Sequence, residues 1–129
     1  MISCNHKIYS PLSYEGEMLE WGTGGGFTGG VKSYCVLDNG IYFKTEDSGK
    51  SYLEVGKMKK SAVRQFFDNY DKLGLSSLKL NEPGNRYYFI SRKNTKSEHK
   101  LIWGQKELEN KVPSILHKNL MKAIQEDNQ

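Results

Sequence analysis

The chain has 129 residues, of which 36% are hydrophobic and 12% aromatic, and its formal net charge is +4. This length suits one domain with one core, and the aromatic content argues against extensive disorder. No run of 18 or more apolar residues occurs, so the sequence predicts no membrane-spanning helix. The basic residues are spread along the chain rather than gathered on one recognisable face, so we expect no nucleic-acid partner.

The first sixteen residues are predicted to form a tether or loosely docked arm. Their beginning, Met1-Ile2-Ser3-Cys4, resembles the end of a bacterial lipobox, in which a small residue precedes the cysteine that is lipidated. A start methionine on a chain trimmed just before that box would give this beginning, whereas the alternative is a native N-terminus with a chance cysteine. Lipidation at Cys4 predicts a protein of the bacterial envelope, periplasmic or lipid-anchored, whose membrane contact is that lipid alone. Cys4 could instead pair with Cys35 in an oxidising compartment.

A first strand is predicted over residues 17–22, and it leads into the glycine-rich segment Trp21 to Val31, WGTGGGFTGGV. This segment fits G-x-G-x-x-G-x-V, the loop that covers ATP in protein kinases. The H-R-D and D-F-G motifs of a kinase do not occur in the sequence. The residues that follow predict a hairpin rather than the helix a dinucleotide site needs, and there is no G-K-[ST]. We therefore interpret the segment as a bent connection whose glycines adopt positive φ.

Phe27 lies in the middle of this connection, where it is either folded over the core or displayed to a partner. Aromatic side chains on loops commonly fill pockets at protein interfaces, and glycine neighbours let a partner's backbone come close. We therefore predict a partner-binding site here. Its candidate residues are Trp21, Gly24, Gly25, Gly26, Phe27, Thr28 and Gly29.

Two strands are predicted around Asn39-Gly40, the residue pair favoured in a type I′ turn. They cover residues 31–38 and 41–45. A two-residue turn pairs Val36 with Phe43, and it therefore predicts that Tyr34, Val36, Ile41 and Phe43 share the core face of the sheet.

The remaining elements follow from turn signals and hydrophobic spacing. A fourth strand is predicted over residues 51–55, after the turn at Asp47-Ser48-Gly49. Apolar residues from Val63 to Leu73 recur at helical spacing, and Gly74 is placed to end that helix. Residues 86–92 and 99–103 predict two more strands. Pro113 suits the first turn of a final helix.

The predicted order is ββββ-α-ββ-α, with strands in consecutive runs. This order predicts an α+β domain over residues 17–126, built from an antiparallel sheet of about six strands with two helices packed on one face. Residues 127–129 are then a tail.

Residues that carry chemistry are sparse. His6, His99 and His117 are isolated in the sequence, so no metal site is predicted. There is no G-x-S-x-G elbow and no Cys-His signature, and the acidic residues are interpreted as solvated surface. We therefore expect a non-enzymatic protein with no catalytic residues and no cofactor.

The layout resembles the emfourin-like family of small bacterial proteins, whose named member inhibits thermolysin-type metalloproteases. The resemblance covers residues 17–125 and includes the GGGFTG segment at 24–29, the strand and turn at 34–40, the helix at 63–73 and the GNRYYFI strand at 84–90. The longer N-terminal arm, the lysine-rich segment 92–100 and residues 105–111 depart from the family pattern. The resemblance implies protease inhibition, with the glycine segment as the candidate contact.

Three hypotheses for function remain at this point. The first is a monomeric protein-binding domain that inhibits a protease through the segment around Phe27. The second is an immunity-type protein that neutralises a co-encoded toxin. The third is a binder of small molecules or glycans that uses Trp21, Tyr9 and Tyr14.

Overall fold

A computed structural model of the chain describes residues 10–25, 30–47, 49–82, 84–104 and 108–127. Seven strands, two α-helices and a short 3-10 turn at Leu75–Ser77 make up the described part. In chain order the elements are β1 (Met18–Gly25), β2 (Val31–Leu37), β3 (Ile41–Thr45), β4 (Leu53–Lys57), α1 (Lys60–Lys72), β5 (Asn81–Glu82), β6 (Arg86–Lys93), β7 (Glu98–Gly104) and α2 (Val112–Asp127).

The strands form one sheet in the order β4-β3-β2-β1-β6-β7-β5. All neighbouring strands are antiparallel except β5, which runs parallel to β7. The predicted α+β class is thus confirmed, but the sheet is mixed and has seven strands instead of about six. Strand β5 was missed because two residues, Asn81 and Glu82, are too few to give an alternating pattern.

Both helices pack on one face of this sheet, which we call the helix face. Val63, Phe67 and Tyr70 of α1 and three residues of α2 belong to one buried cluster with the sheet. The largest fully buried members from the strands are Leu19, Trp21, Val36, Tyr42, Ile90 and Leu101. A smaller cluster of Met18, Cys35, Leu37 and Phe43 lies on the opposite face, which we call the open face. The sheet is therefore apolar on both sides along β1, β2 and β3.

The hairpin of β2 and β3 differs from the prediction by one residue. Val36 pairs with Tyr42 and Cys35 with Phe43. The Gly40 N–H donates to the Leu37 carbonyl at 2.9 Å, and Gly40 has φ of +100°, so the connection has three residues with one in the left-handed region. Because a one-residue shift moves side chains to the other face, Phe43 lies on the open face and the predicted four-residue core face was wrong.

Helix α1 ends as predicted, before Gly74. The Gly74 N–H donates to the Asp71 carbonyl at 3.2 Å, and Gly74 has φ of +79°. Arg92 of β6 ties this end of the helix to the sheet. Its guanidinium lies 2.6 Å from the Asp71 carboxylate, 3.5 Å from Glu17 and 5.3 Å from the centre of the Phe67 ring.

Helix α2 is tied to the central strand by His117. The side chain is buried between the Tyr88 and Trp103 rings, and Nε2 lies 3.1 Å from the Gly22 carbonyl oxygen. A carbonyl can only accept, so Nε2 carries the proton of the neutral ring. Burial lowers the pKa of His117 below its ordinary value of 6.5, although the hydrogen bond to Gly22 opposes that change.

We predict that acidification weakens the fold through His117. Its folded-state pKa lies below the unfolded-state value, so the unfolded chain binds the proton first. The stabilisation is complete above the unfolded value of 6.5 and is lost as the pH falls through the folded-state pKa. Urea unfolding at about pH 7.5 and about pH 5.5 measures this loss.

The matched variant is His117→Gln, which keeps an N–H donor toward Gly22 but does not titrate. We expect it to be less stable than the wild type at the higher pH and to lose less stability on acidification. An equal loss in both proteins would show that His117 is not the group responsible.

Candidate functional site

More of the glycine-rich segment lies inside β1 than predicted. Strand β1 continues to Gly25, three residues beyond the predicted end, so Trp21, Gly24 and Gly25 are strand residues. The other candidates, Gly26, Phe27, Thr28 and Gly29, lie outside the described residues, as does the candidate lipidation site Cys4. The direction in which Phe27 points therefore lies outside the described residues too.

The glycines of β1 are required by close neighbours. A methyl group added at Gly22 would overlap the Lys32 carbonyl and the Ser33 backbone, and one added at Gly24 would overlap the Tyr87 ring. Gly25 has φ of +74°, and its position lies against the Asn85 carbonyl. Side chains from β2 and β6 thus cover the strand where it has none of its own.

Trp21 is a core residue in this structure. Its side chain is fully buried on the helix face and stacks on Tyr34, with ring centroids 6.2 Å apart. The indole Nε1 is buried and has no hydrogen-bond partner among the described residues. Trp21 therefore supports Tyr34, whose ring is half-buried beside it, and is not itself available to a partner.

The helices leave one corner of the helix face uncovered. Directly opposed residues in an antiparallel pair share a face, so the register follows Trp21 to Tyr34, then to Lys44 and to Leu53 across four strands. In the next row Thr23 lies opposite Lys32, and in the row after it Arg86 lies opposite Gly25. We call the six residues on this surface the uncovered corner: Thr23, Lys32, Tyr34, Lys44, Leu53 and Arg86.

Exposure changes sharply between the two parts of the helix face. Trp21 and Val36, which lie under the helices, are fully buried. Thr23, Lys32 and Arg86 are exposed, and Leu53 is 67% exposed. The exposed surface of this corner therefore combines one apolar side chain, Leu53, with the cations beside it.

The uncovered corner is positively charged. It carries the cations of Lys32, Lys44 and Arg86, and none of its six members is acidic. The Lys44 ammonium lies 3.7 Å from the carboxylate of Glu46, which is exposed and follows the end of β3. The surface is therefore suited to a partner that brings negative charge.

A second group of polar residues lies at the centre of the open face. We call Glu20, Ser33, Tyr52 and Lys93 the Glu20 cluster. The Glu20 carboxylate accepts hydrogen bonds from Lys93 Nζ at 2.7 Å, from the Tyr52 hydroxyl at 2.9 Å and from the Ser33 hydroxyl at 2.8 Å. Glu20 is buried, so the sequence-based interpretation of its side chain as solvated surface was wrong.

The surroundings of the Glu20 cluster raise the pKa values of Lys93, Tyr52 and the adjacent Cys35, so all three keep their protons. Burial opposes the charge on Lys93, but the hydrogen bond and the negative charge of Glu20 outweigh it and raise the Lys93 pKa. Burial, reinforced by the charge of Glu20, raises the pKa of the Tyr52 hydroxyl and of the neighbouring Cys35 thiol. Cys35 is a buried free thiol, kept protonated. A neutral, buried thiol is a poor nucleophile.

The cluster also fastens the turn between β3 and β4 to the open face. Asp47 accepts hydrogen bonds from the Ser51 backbone at 2.9 Å and the Thr45 hydroxyl at 2.7 Å. Hydrogen bonds from Ser51, reinforced by Thr45, lower the pKa of Asp47. Tyr52 then reaches from this turn to Glu20. The polar residues of the open face are thus joined in contacts that position the chain.

His99, the other histidine of the described part, forms hydrogen bonds that connect β7 to neighbouring segments. The Tyr70 hydroxyl bonds to His99 Nδ1, and Nε2 lies 2.9 Å from the Leu78 carbonyl. Over the described ranges, no group of three or more His, Cys, Asp and Glu is arranged to hold a metal ion. Within the same ranges, no helix combines the length and apolarity needed to cross a membrane.

No protein-family model matches the chain, and no curated protein is significantly similar to it. The resemblance to the emfourin-like family therefore stays a prediction.

Sequence reasoning missed the uncovered corner because it assigned the wrong register. In the predicted hairpin, Tyr34 and Lys44 lay on opposite faces, whereas they are direct neighbours on one face. The three-residue turn ending at Gly40 was the missing information. Within the turn, Asn39 Oδ1 accepts a hydrogen bond from the Ile41 N–H at 2.9 Å, a local contact of the kind that Asn makes in turns.

We predict that Gly22→Ala destabilises the protein by about 1–3 kcal/mol, because the methyl group would overlap the Lys32 carbonyl and the Ser33 backbone, which cannot turn aside as a side chain can. Gly84→Ala is the control, since a methyl group there makes only ordinary contacts. We expect it to change stability by about 0.5 kcal/mol or less. Denaturant unfolding of the two variants distinguishes a packing role from general glycine flexibility, which would affect both alike.

A second prediction concerns the buried ion pair of Glu20 and Lys93. We expect Glu20→Gln to cost about 2 kcal/mol or more, because it leaves a largely buried ammonium without its counter-charge. Glu46→Gln, in the exposed pair with Lys44, should cost about 0.5 kcal/mol or less. The Glu20→Gln/Lys93→Met double variant should lose less stability than the sum of its single variants. Strict additivity in chemical unfolding would contradict the pairing.

Proposed function

We propose that this chain is a non-enzymatic protein-binding domain that contacts its partner through the uncovered corner. The observation that carries the proposal is a group of exposed or half-buried side chains on five adjacent strands, beside the part of the same face that the helices cover. Strands fix the backbone of these residues, so the conformational freedom lost when a partner binds is confined to their side chains. The candidate contact Phe27 follows Gly25 of β1 by two positions in the sequence and lies outside the described residues.

The partner surface is acidic in this proposal. Lys32, Lys44 and Arg86 give the corner its charge, while Tyr34 and Leu53 supply contact area with an aromatic and an apolar side chain. Tyrosine and arginine are enriched among the residues that dominate binding energy at protein interfaces. Single-stranded nucleic acid fits less well, since it requires aromatic faces open for base stacking and Tyr34 is already stacked on Trp21.

The bonding of the open-face polar groups supports a binding role over a catalytic one. Both oxygens of the Glu20 carboxylate accept hydrogen bonds from the protein itself. Cys35 is buried and protonated. A general base or nucleophile needs a reacting group within reach, and these contacts serve instead to hold the sheet and the Tyr52 segment together.

Protease inhibition is the sharper form of the proposal, and it follows from the resemblance to the emfourin-like family. An inhibitor of that kind would insert the glycine segment into the cleft of a thermolysin-type metalloprotease, with the corner against the rim of the cleft. An immunity-type role uses the same surface with a toxin as partner. The two forms differ in the protein that is bound.

Affinity capture from a bacterial envelope extract tests the proposal. The immobilised wild-type protein should retain a partner that the Lys32→Glu/Arg86→Glu variant retains at least about tenfold more weakly, because two cations facing an acidic surface are reversed. The matched control is Lys118→Glu/Lys122→Glu, the same charge change on exposed residues of α2. The control should bind like the wild type.

The identity of the captured protein separates the forms of the proposal. A metalloprotease whose peptide cleavage the purified chain slows supports inhibition, and a toxin that the chain neutralises supports the immunity role. Loss of all retained material after nuclease treatment would replace the protein partner with a nucleic acid. Capture that is equal for both double variants, or no capture, would overturn the proposed surface.

A further inference from the structure

The outer edge of β4 is an unpaired sheet edge. Strand β4 lies at one end of the sheet, and in the described part of the chain no strand lies beyond it. Its residues are Leu-Glu-Val-Gly-Lys at 53–57, and Leu53 is 67% exposed. An exposed edge presents N–H and C=O groups that can pair with another strand.

A bulge places the two charged residues of β4 on one face. Lys57 pairs with Ile41 and Glu54 with Phe43, and the register shifts by one residue between Tyr42 and Phe43. Ile41 and Phe43 are two residues apart on β3 and share the open face. Glu54 and Lys57 therefore share it too, although three positions separate them.

Because of the same bulge, the backbone N–H and C=O groups of Glu54 and Lys57 point in the same direction. The Met58 N–H donates to the Gly40 carbonyl at 2.8 Å. Hydrogen-bonded and non-bonded pairs alternate along an antiparallel ladder, so Lys57 next to Met58 is not bonded to Ile41. By the same alternation, Gly56 is hydrogen-bonded to Tyr42, and Glu54 is not hydrogen-bonded to Phe43. The N–H and C=O groups of Glu54 and Lys57 consequently point to the free edge.

We propose that β4 pairs antiparallel with β4 of a second copy of the chain. A two-fold axis between Val55 and Gly56 sets Glu54 directly opposite Lys57 of the partner subunit, and the symmetry repeats the pair on the other side. Opposed side chains in such a pair are about 5 Å apart at Cβ, close enough for an ion pair. Two copies of the strand thus match each other: opposite charges face each other, the charged side chains lie on the same side of the sheet, and the free N–H and C=O groups meet.

Charge complementarity favours a second copy over a foreign strand. An unrelated segment would have to bring a cation opposite Glu54 and an anion opposite Lys57 in the correct order, whereas a second copy does so by symmetry. A charged residue and a bulge on an edge can also serve to prevent pairing. If the charges and the bulge prevent pairing, the protein stays the monomer that the sequence analysis expects.

Sedimentation velocity over a wide range of protein concentrations tests the pairing. The wild type should show a reversible monomer–dimer equilibrium. Glu54→Lys and Lys57→Glu each place like charges opposite one another twice, so each variant alone should dimerise at least about tenfold more weakly. Both residues are exposed, and unchanged far-UV circular dichroism would verify that the variants fold.

Mixing the two variants gives the decisive measurement. A Glu54→Lys chain opposite a Lys57→Glu chain restores two attractive pairs, so the mixture should form a heterodimer at concentrations where neither variant dimerises alone. Lys79→Glu and Glu82→Lys, exposed residues at the opposite end of the sheet, are the matched controls and should leave the wild-type equilibrium unchanged.

The outcomes that overturn the inference are equally specific. A wild-type monomer at every concentration shows that the edge is protected rather than paired. A dimer that tolerates both single reversals lies at another surface. Dimerisation weakened by the reversals but not restored in the mixture rejects the Glu54–Lys57 register.

Discussion

Burial of residues 18–22 of β1 on both faces is the constraint on which the rest of the structure depends. On the helix face, Leu19 and Trp21 are fully covered, and His117 of α2 hydrogen-bonds to the Gly22 carbonyl of this strand. On the open face, Glu20 gathers Lys93, Tyr52 and Ser33, while Gly22 and Gly24 leave space for neighbouring groups. A strand buried on both sides cannot shift its register without exposing apolar groups or stranding a charge. The glycines of β1 are therefore part of the packing.

The uneven cover of the helix face connects this architecture to the proposed function. Two helices are too few to cover a seven-stranded sheet, and they pack over the rows that contain Val36, Tyr42, Ile90 and Leu101. The row through Thr23 and Lys32 is left to solvent. A surface that is rigid, charged and partly apolar results from where the helices lie.

Much of the fold could be predicted because it is encoded locally. The helical spacing of Val63, Phe67 and Tyr70 and the stop at Gly74 gave α1, and strands in consecutive runs gave the α+β class. The register of β2 and β3 could not be predicted, since Asn39-Gly40 fits both a two-residue and a three-residue connection. Only the long-range pairing with β1 and β4 decides between them. The two-residue β5 likewise exists because β7 is there to pair with it.

The sequence by itself determined the class of fold, the positions of the long elements and the presence of a glycine-rich stretch after the first strand. Those features depend on neighbours along the chain, where spacing and residue type suffice. Tertiary structure alone decided that Trp21 is a core residue, that Glu20 is a buried hub, and that Lys32, Lys44 and Arg86 meet on one surface. These properties arise when strands distant in sequence become neighbours in the sheet. The spacing of residues along the chain does not specify which strands become neighbours.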